Sequence, residues 1–250
     1  MSKIYTFWSL KDGVGTTSLV SNIAYNIAKN NLDKKVLLLD FDMITPNIDF
    51  YLKQKDIKDL KDLKHYIFTK EINEEILKSF FKSYIYQPNF QFLNGLYDFN
   101  FFDKFSIEDF LMLLEIIKKM DYDYIFIDTN SSFFIDATFV ALTNNTKTFI
   151  VLDSSNLSIR NINTYLEKTL YKIGLVDENI EFISNKFDSD IHDKSCICKL
   201  LNRKSIFFVD YNKTILKDTN NGELFIKSTN KKDKKIIEQI NDICTYITNN

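Results

Sequence analysis

The chain has 250 residues, of which 45% are hydrophobic, so it can bury the core of one α/β domain or of two small ones. Its formal net charge of −2 at pH 7 excludes a general attraction to nucleic acid, although a local lysine patch stays open. With only 5 glycines and 2 prolines, the composition also excludes collagen-like and low-complexity proteins.

The cysteines and the lack of long apolar runs indicate the compartment. The 3 cysteines are too few for a disulfide framework and fit a reducing cytosol. No stretch of the sequence reaches the roughly 18 apolar residues of a membrane-spanning helix. The apolar run at the N-terminus is too short for a signal sequence. We therefore expect a cytoplasmic protein.

Strand-like and helix-like segments alternate along the chain. A strand at 3–9 leads directly into a helix at 16–30, whose apolar residues recur at helical spacing. The continuous apolar run at 34–40 is typical of a strand buried on both faces of a parallel sheet. Further strands are predicted at 90–95, 122–128, 147–153, 179–185 and 204–210. Further helices are predicted near 56–64 and 71–81, and at 106–120, 134–143, 156–173, 193–202 and 231–248.

This alternation predicts an α/β fold with a doubly wound, mostly parallel sheet flanked by helices and joined by right-handed crossovers. No linker rich in glycine, proline or serine divides the chain. We expect a single domain over 1–250.

The segment between the first strand and the first helix reads LKDGVGTT. In a phosphate-binding loop, G-x-x-x-x-G-K-[ST], glycines turn backbone N–H groups toward phosphates, the lysine reaches the β- and γ-phosphates, and the last hydroxyl binds Mg²⁺. Gly13, Gly15 and Thr17 match this pattern. Leu10 stands at the first glycine and Thr16 at the lysine.

Three acids accompany the loop. Asp40 and Asp42 close the second strand, and Asp128 closes the strand at 122–128. One such acid alone is more often a structural strand cap, but together they follow carboxyl ends of parallel strands, where α/β sheets bind ligands. We expect Thr17, Asp40 and Asp128 to hold Mg²⁺ beside a nucleotide. The loop and the acids together predict that the single domain over 1–250 is P-loop NTPase-like.

At this point a family resemblance becomes specific. The segment KDGVGTTSLVSNIA resembles the deviant Walker A loop of the ParA/MinD family, whose pattern is KGGVGKTT. Lys11 matches the family's signature lysine, which implies a homodimer in which this lysine reaches the partner's phosphates. LLLDFDMITPNIDFYL resembles the family's switch segment, which implies that Asp42 orients the attacking water. The resemblance thus implies ATP and Mg²⁺ as cofactors, and Lys11 and Asp42 as catalytic residues.

Other segments resemble the CpaE/TadZ pilus-assembly subgroup of this family. They lie at 90–133 and at 151–187, and in the second of them Asn185 matches the asparagine expected to contact adenine. This resemblance implies protein partners in a pilus, secretion or partition apparatus. By motif and resemblance, the nucleotide-contacting residues are expected to be Gly13, Val14, Gly15, Thr16, Thr17, Ser18 and Asn185.

Two departures from the family pattern concern charge. Thr16 removes a cation from the β- and γ-phosphates, and Asp12 places a carboxylate where the family has glycine. At about 4 Å, one unit charge is worth up to about 4 kcal/mol at an effective dielectric constant of 20. We therefore expect weak or absent nucleotide binding and slow or absent ATP hydrolysis. Asp12 is also expected to hinder the close packing of a dimer.

Three functional hypotheses remain open. The first is an active ATP-driven dimerising switch for partition or septum positioning, and the second is a pseudo-ATPase that acts as a positioning or assembly scaffold. The third is a DNA-partitioning factor, against which the net charge and the 2 arginines, Arg160 and Arg203, count. The amphipathic segment 236–247 raises peripheral membrane contact as a further alternative, although a closing helix packed on the sheet is favoured.

Overall fold

The computed structural model describes residues 2–54, 60–95 and 105–250. In chain order the strands are β1 (Lys3–Trp8), β2 (Val36–Phe41), β3 (Lys82–Tyr84), β4 (Gln87–Leu93), β5 (Tyr124–Thr129), β6 (Lys147–Leu152), β7 (Ile180–Phe187) and β8 (Phe207–Asp210). The helices are α1 (Thr16–Asn30), α2 (Ile48–Leu52), α3 (Leu60–Phe68), α4 (Glu74–Lys78), α5 (Ile107–Lys119), α6 (Asp136–Thr143), α7 (Asn156–Tyr165), α8 (Lys194–Leu200), α9 (Lys213–Asn220) and α10 (Lys234–Asn249).

The strands form one sheet in the order β3–β4–β2–β5–β1–β6–β7–β8. Every neighbouring pair is parallel except β3 and β4, which are antiparallel. This confirms the predicted doubly wound, mostly parallel α/β sheet. The sheet continues on both sides of β1, with β5 on one side and β6 on the other. In such sheets, ligands bind in the crevice at the carboxyl ends of the central strands.

The central strands are buried on both faces because helices cover the sheet from both sides. All 6 residues of β2 and all 6 of β5 are buried. One face packs against α1 and α10, and the other packs against α5, α6 and α7. The continuous apolar runs of these strands are explained by this double burial.

The closing helix α10 packs its apolar face into this core. Ile236, Ile240, Ile243 and Ile247 recur at helical spacing and are buried against α1 and the sheet. Burial of one such side chain stabilises the fold by about 1.5–3 kcal/mol. The apolar face is therefore used inside the fold, as the packed-helix interpretation predicts. Within the described residues, no helix has both the length and the apolar character needed to cross a membrane.

The structure also differs from the prediction in several short elements. The predicted helix near 56–64 falls partly on 55–59, outside the described residues, and α3 is described from Leu60. The predicted helix at 71–81 is only the 5-residue α4. The prediction missed β3, α2 and α9. Helix α9 has 8 residues and only one apolar pair, Ile215 and Leu216, which is too short a pattern to identify a helix in a sequence.

The packing of α10 predicts a large loss of stability for Ile240→Ala. Ile240 is fully buried in the core beneath this helix, so truncation leaves a cavity and should cost about 2–5 kcal/mol. Urea unfolding followed by circular dichroism measures this loss. Thr245→Ala, at an exposed position of the same helix, is the control and should change stability by less than about 0.5 kcal/mol. Equal effects of the two substitutions would contradict the packing described here.

Candidate functional site

The loop between β1 and α1 has the backbone geometry of an anion-binding turn. Gly13 and Gly15 have φ angles of 79° and 96°, in the left-handed region that favours glycine. A Cβ atom at Gly15 would also lie 2.6 Å from Nδ2 of Asn185. Both the backbone angle and the lack of space therefore exclude a side chain at this position. No side chain caps the N-terminus of α1 and no acid lies in its first turn. The N–H groups there are thus suited to an anion.

The loop forms one wall of a pocket of about 290 Å³. The other walls come from the segment 42–51 after β2, from the end of β7, and from the segment 209–220 that includes α9. The predicted residues that line the pocket are Gly13, Gly15, Thr16, Thr17, Ser18, Asp42 and Asn185. The sheet and the loop thereby bring most of the predicted nucleotide-contacting residues to one place.

Asn185 holds the loop in this position. Its Nδ2 donates a hydrogen bond of 2.7 Å to the carbonyl oxygen of Val14. Both residues are buried, so the bond is shielded from water. The amide that the resemblance assigns to adenine therefore also joins the end of β7 to the phosphate loop.

Two buried carboxyls lie side by side behind the loop. Asp40 and Asp128 are register partners on the parallel strands β2 and β5, and both are fully buried. Burial raises the pKa of Asp40 well above its usual range, and the neighbouring carboxyls of Asp128 and Asp42 raise it further. Burial likewise raises the pKa of Asp128, while the adjacent hydroxyl of Thr17 offsets only part of this rise.

The two carboxyls differ in their hydrogen bonds. Asp40 accepts bonds from the backbone N–H groups of Asp42, Asn47 and Ile48, so it fixes the course of the chain after β2. Neither oxygen of Asp128 accepts a hydrogen bond of acceptable distance and angle. The hydroxyl of Thr17 and the N–H group of Thr129 lie nearby but are poorly aligned, and a buried carboxylate with such weak donors is costly unless a cation or a proton compensates it. Of this pair, Asp128 is therefore the group with free capacity for a cation.

Asp42 lines the pocket but is heavily engaged within its own segment. One oxygen accepts the N–H groups of Ile44 and Thr45 and the Nδ2 of Asn130, and the other accepts the hydroxyl of Thr45. These bonds fix the segment that the resemblance identifies as a switch. The predicted role of Asp42 with an attacking water remains a prediction.

Lys11 and Asp12 lie at the exposed rim of the loop. The Lys11 ammonium is 3.2 Å from Oδ2 of Asp153 in the same chain, and its side chain is 68% exposed. An ion pair this exposed contributes little to stability, so it does not prevent Lys11 from reaching a partner. Asp12 adds its carboxylate to the lining of the pocket.

Thr16 and Thr17 present hydroxyls at the start of α1. The Thr16 hydroxyl is buried without a hydrogen-bond partner, and the Thr17 hydroxyl lies beside Asp128. A phosphate oxygen would satisfy the first hydroxyl, and Mg²⁺ would suit the second together with Asp128. The residues present thus fit a magnesium–nucleotide complex, although Thr16 brings no positive charge.

No three His, Cys, Asp or Glu side chains form a metal cluster of their own in the part of the chain that the structure describes. Mg²⁺ commonly uses one or two carboxylates together with phosphate oxygens and water. Thr17 and Asp128 therefore suit an ion that arrives with a nucleotide rather than a metal held by the protein alone.

Sequence reasoning missed two polar side chains in this region. Asn130, just after β5, binds Asp42, and Lys186, near the end of β7, donates to the carbonyl oxygen of Gly13 at 2.8 Å. Asn130 lies two residues after the predicted site residue Asp128, and Lys186 directly follows the predicted site residue Asn185. Adjacency to a predicted site residue was the only available signal.

Comparisons with known proteins agree with this geometry. A family model described as an AAA domain matches residues 2–181, so the chain belongs to this AAA-domain family. No curated protein sequence matches the chain significantly. The three solved structures described next share 19–21% sequence identity with this chain, and they therefore show the fold alone.

Three of these structures are especially informative. A ParA family ATPase from Chlorobium tepidum has a TM-score of 0.83 and 20% identity, with 98% of this chain and 99% of that chain covered. A plasmid partition protein from Borrelia burgdorferi bound to AMPPNP has a TM-score of 0.77 and 21% identity, with 97% and 98% covered. The septum site-determining protein MinD from Pyrococcus horikoshii, complexed with Mg-ADP, has a TM-score of 0.75 and 19% identity, with 97% and 96% covered. The fold is that of the ParA and MinD P-loop proteins.

The unbonded carboxyl of Asp128 predicts a stabilising effect of Asp128→Asn in the absence of Mg²⁺. The folded-state pKa of Asp128 is raised, so the wild type loses stability as pH rises from the unfolded pKa near 4 toward the folded pKa. The amide does not ionise, so the variant should be more stable than the wild type by about 1–3 kcal/mol at pH 7.5, and by much less at pH 4.

Urea unfolding at both pH values, in chelator, measures this difference. Asp33→Asn is the control because that carboxylate is 78% exposed, and it should show no such pH-dependent gain. A variant that is less stable than the wild type at pH 7.5 would contradict the unbonded, buried state of Asp128.

Proposed function

We propose that this chain is a ParA/MinD-like protein that binds a magnesium–nucleotide complex weakly and hydrolyses ATP very slowly or not at all. It acts in the positioning or assembly of a pilus, secretion or partition apparatus. The observation that carries the nucleotide proposal is the buried, unbonded carboxylate of Asp128 behind an uncapped, glycine-containing helix start. The Mg-ADP and AMPPNP bound to the relatives named above support the same class of ligand.

Each part of the site has a role in this proposal. The N–H groups of the loop and of the first turn of α1 bind phosphate oxygens, and the buried hydroxyl of Thr16 donates one further hydrogen bond. Thr17 and Asp128 hold the metal, and Asp40 positions the segment that carries Asp42. When bound, Mg²⁺ supplies charge neutralisation for the phosphates. Asn185 contacts the base while it holds the loop.

Slow turnover follows from the charges around the pocket. Among the described residues, three acidic ones line it, Asp12, Asp42 and Asp210, and only Asp210 is paired with a cation, the ammonium of Lys235. The residue that replaces the usual lysine, Thr16, is neutral. A nucleoside triphosphate carries several negative charges, and each unfavourable pair weakens its binding. The transition state of phosphoryl transfer also depends on cations at its equatorial oxygens. The site is thus better suited to holding a nucleotide loosely than to cleaving it.

The subgroup and the apparatus rest on the sequence resemblance to pilus-assembly ATPases. We infer that partner proteins, including a second copy of this chain, bind at the carboxyl edge of the sheet. The exposed Lys11 lies there, and Phe134 and Leu157 are 81% and 66% exposed on segments that follow β5 and β6. Asp12 is exposed beside Lys11, so two copies meeting face to face would bring like charges together.

An active ATP-driven switch for partition or septum positioning is the second candidate. Asp42 lines the pocket as that function requires, and Lys11 is free to leave its exposed ion pair with Asp153. This candidate requires clear ATP turnover, whereas the favoured proposal requires little or none.

The charge argument predicts that Asp12→Gly combined with Thr16→Lys strengthens nucleotide binding. The pair removes a carboxylate from the pocket and adds a cation at the start of α1, so the affinity for Mg-ATP should rise at least about tenfold. Calorimetric titration measures the change.

Asp33→Gly combined with Thr245→Lys is the matched control. It makes the same change in net charge at exposed positions outside the pocket, and it should leave the affinity unchanged. If the site pair binds no better than the wild type, the degenerate-loop proposal is wrong.

A further inference from the structure

One residue that lines the pocket, Lys186, has an unusual backbone conformation. Four non-glycine residues among those described have φ in the left-handed region: Lys53, Lys70, Lys186 and Asn202. Three of them follow the C-terminal ends of α2, α3 and α8, where this conformation is common. Lys186 lies inside strand β7, where no helix end explains it. Such an outlier at a site is a reason to look for a function.

The cause of this conformation is a β-bulge at Lys186. Asn185 pairs with Val209 and Phe187 with Asp210, so β7 uses one residue more than β8 between the same two pairs. The extra residue is Lys186. Bulges of this kind occur next to active sites because they redirect a side chain that a regular strand would point elsewhere.

The redirected side chain reaches the phosphate loop. Nζ of Lys186 is 2.8 Å from the carbonyl oxygen of Gly13, and its Cε is 3.9 Å from the position that a Cβ atom would take at Gly15. The bulge thus places an ammonium group over the glycines of the loop, at the exposed mouth of the pocket.

Among the described residues that line the pocket, Lys186 is the only cationic side chain. The same lining includes three acidic residues, of which Asp210 is paired with Lys235, and Thr16 is neutral where a phosphate loop usually has its lysine. Without Lys186, a polyanionic ligand would find only uncharged donors among these described lining residues: backbone N–H groups, hydroxyls and side-chain amides. Charge complementarity therefore assigns a phosphate to Lys186.

We propose that Lys186 is the relocated phosphate-binding lysine of this site, which replaces from strand β7 the cation that is missing at Thr16. The ligand is a polyphosphate such as a nucleoside di- or triphosphate. The inference rests on the nucleotide binding proposed above. In this arrangement the ammonium group exchanges the Gly13 carbonyl oxygen for a phosphate oxygen, and no covalent bond is made or broken.

The test is calorimetric titration of Mg-ATP into variants at this position. Lys186→Gln and Lys186→Gly should each lower the affinity at least about tenfold, whereas Lys186→Arg should stay within about threefold of the wild type. Lys186→Gly removes the strained side chain from a left-handed backbone, so it should fold at least as well as the wild type. Urea unfolding checks this.

Lys70→Gly is the matched control. Lys70 has the same left-handed backbone, with φ of 56°, and carries the same charge, but it lies outside the pocket. This variant should bind Mg-ATP as the wild type does. An equal loss of affinity in Lys70→Gly would show a general charge effect and would contradict the proposal.

A double-mutant cycle separates a phosphate contact from a purely structural clamp on the loop. If Lys186 replaces the missing cation, Thr16→Lys should restore most of the affinity lost in Lys186→Gly, so the two changes are not additive. Wild-type affinity in Lys186→Gly, or the same loss with and without a lysine at position 16, would overturn this inference alone. Absence of any Mg-ATP binding by the wild type would overturn the proposed function as well.

Discussion

The site depends on two carboxyls that the fold forces together inside the protein. Parallel pairing of β2 and β5 makes Asp40 and Asp128 register partners, and helices on both faces of the sheet keep water away from them. Such a pair is electrostatically unfavourable, because burial raises the pKa of both carboxyls and the charge of Asp128 adds to the rise at Asp40. The surrounding structure compensates one carboxyl with backbone N–H groups and leaves the other available to a cation.

The different hydrogen bonds of Asp40 and Asp128 connect the core of the sheet with the pocket. Asp40 accepts N–H groups as far along the chain as Ile48, so the segment after β2 is held against the sheet. That segment carries Asp42, which in turn is bound by Asn130 from the loop after β5. A cation at Asp128 would therefore act on a network that already joins β2, β5 and the mouth of the pocket. In a P-loop fold this is the route by which a nucleotide can influence the protein surface.

The phosphate loop retains its backbone geometry more completely than its charge. Gly13, Gly15 and the uncapped start of α1 keep the arrangement of N–H groups, and the match to ParA and MinD structures extends over nearly the whole chain. The usual lysine is absent at Thr16, and carboxylates line the pocket. These charges support the proposed weak nucleotide binding with little hydrolysis, which we propose the ammonium group of Lys186 on β7 moderates.

Much of the site could be predicted because its signals are local in the sequence. An acid that closes a buried apolar strand, as Asp128 does, must lie at the carboxyl edge of a parallel sheet, and glycines between a strand and a helix mark a phosphate loop. The bulge at Lys186 could not be predicted, because it depends on how β7 pairs with β8. The backbone bonds of Asp40 depend likewise on the tertiary course of the segment after β2. Helix α9 could not be predicted because its 8 residues include only two apolar ones, which are adjacent and show no helical repeat.

The central claim, a weakened magnesium-dependent nucleotide site, is tested most directly by titrating ATP into the wild-type protein with and without Mg²⁺ while phosphate release is followed. The account predicts binding that requires Mg²⁺, with a dissociation constant weaker than about 1 μM, and phosphate release no faster than the background. Binding tighter than this with clear turnover, or the same affinity in the absence of Mg²⁺, would contradict it.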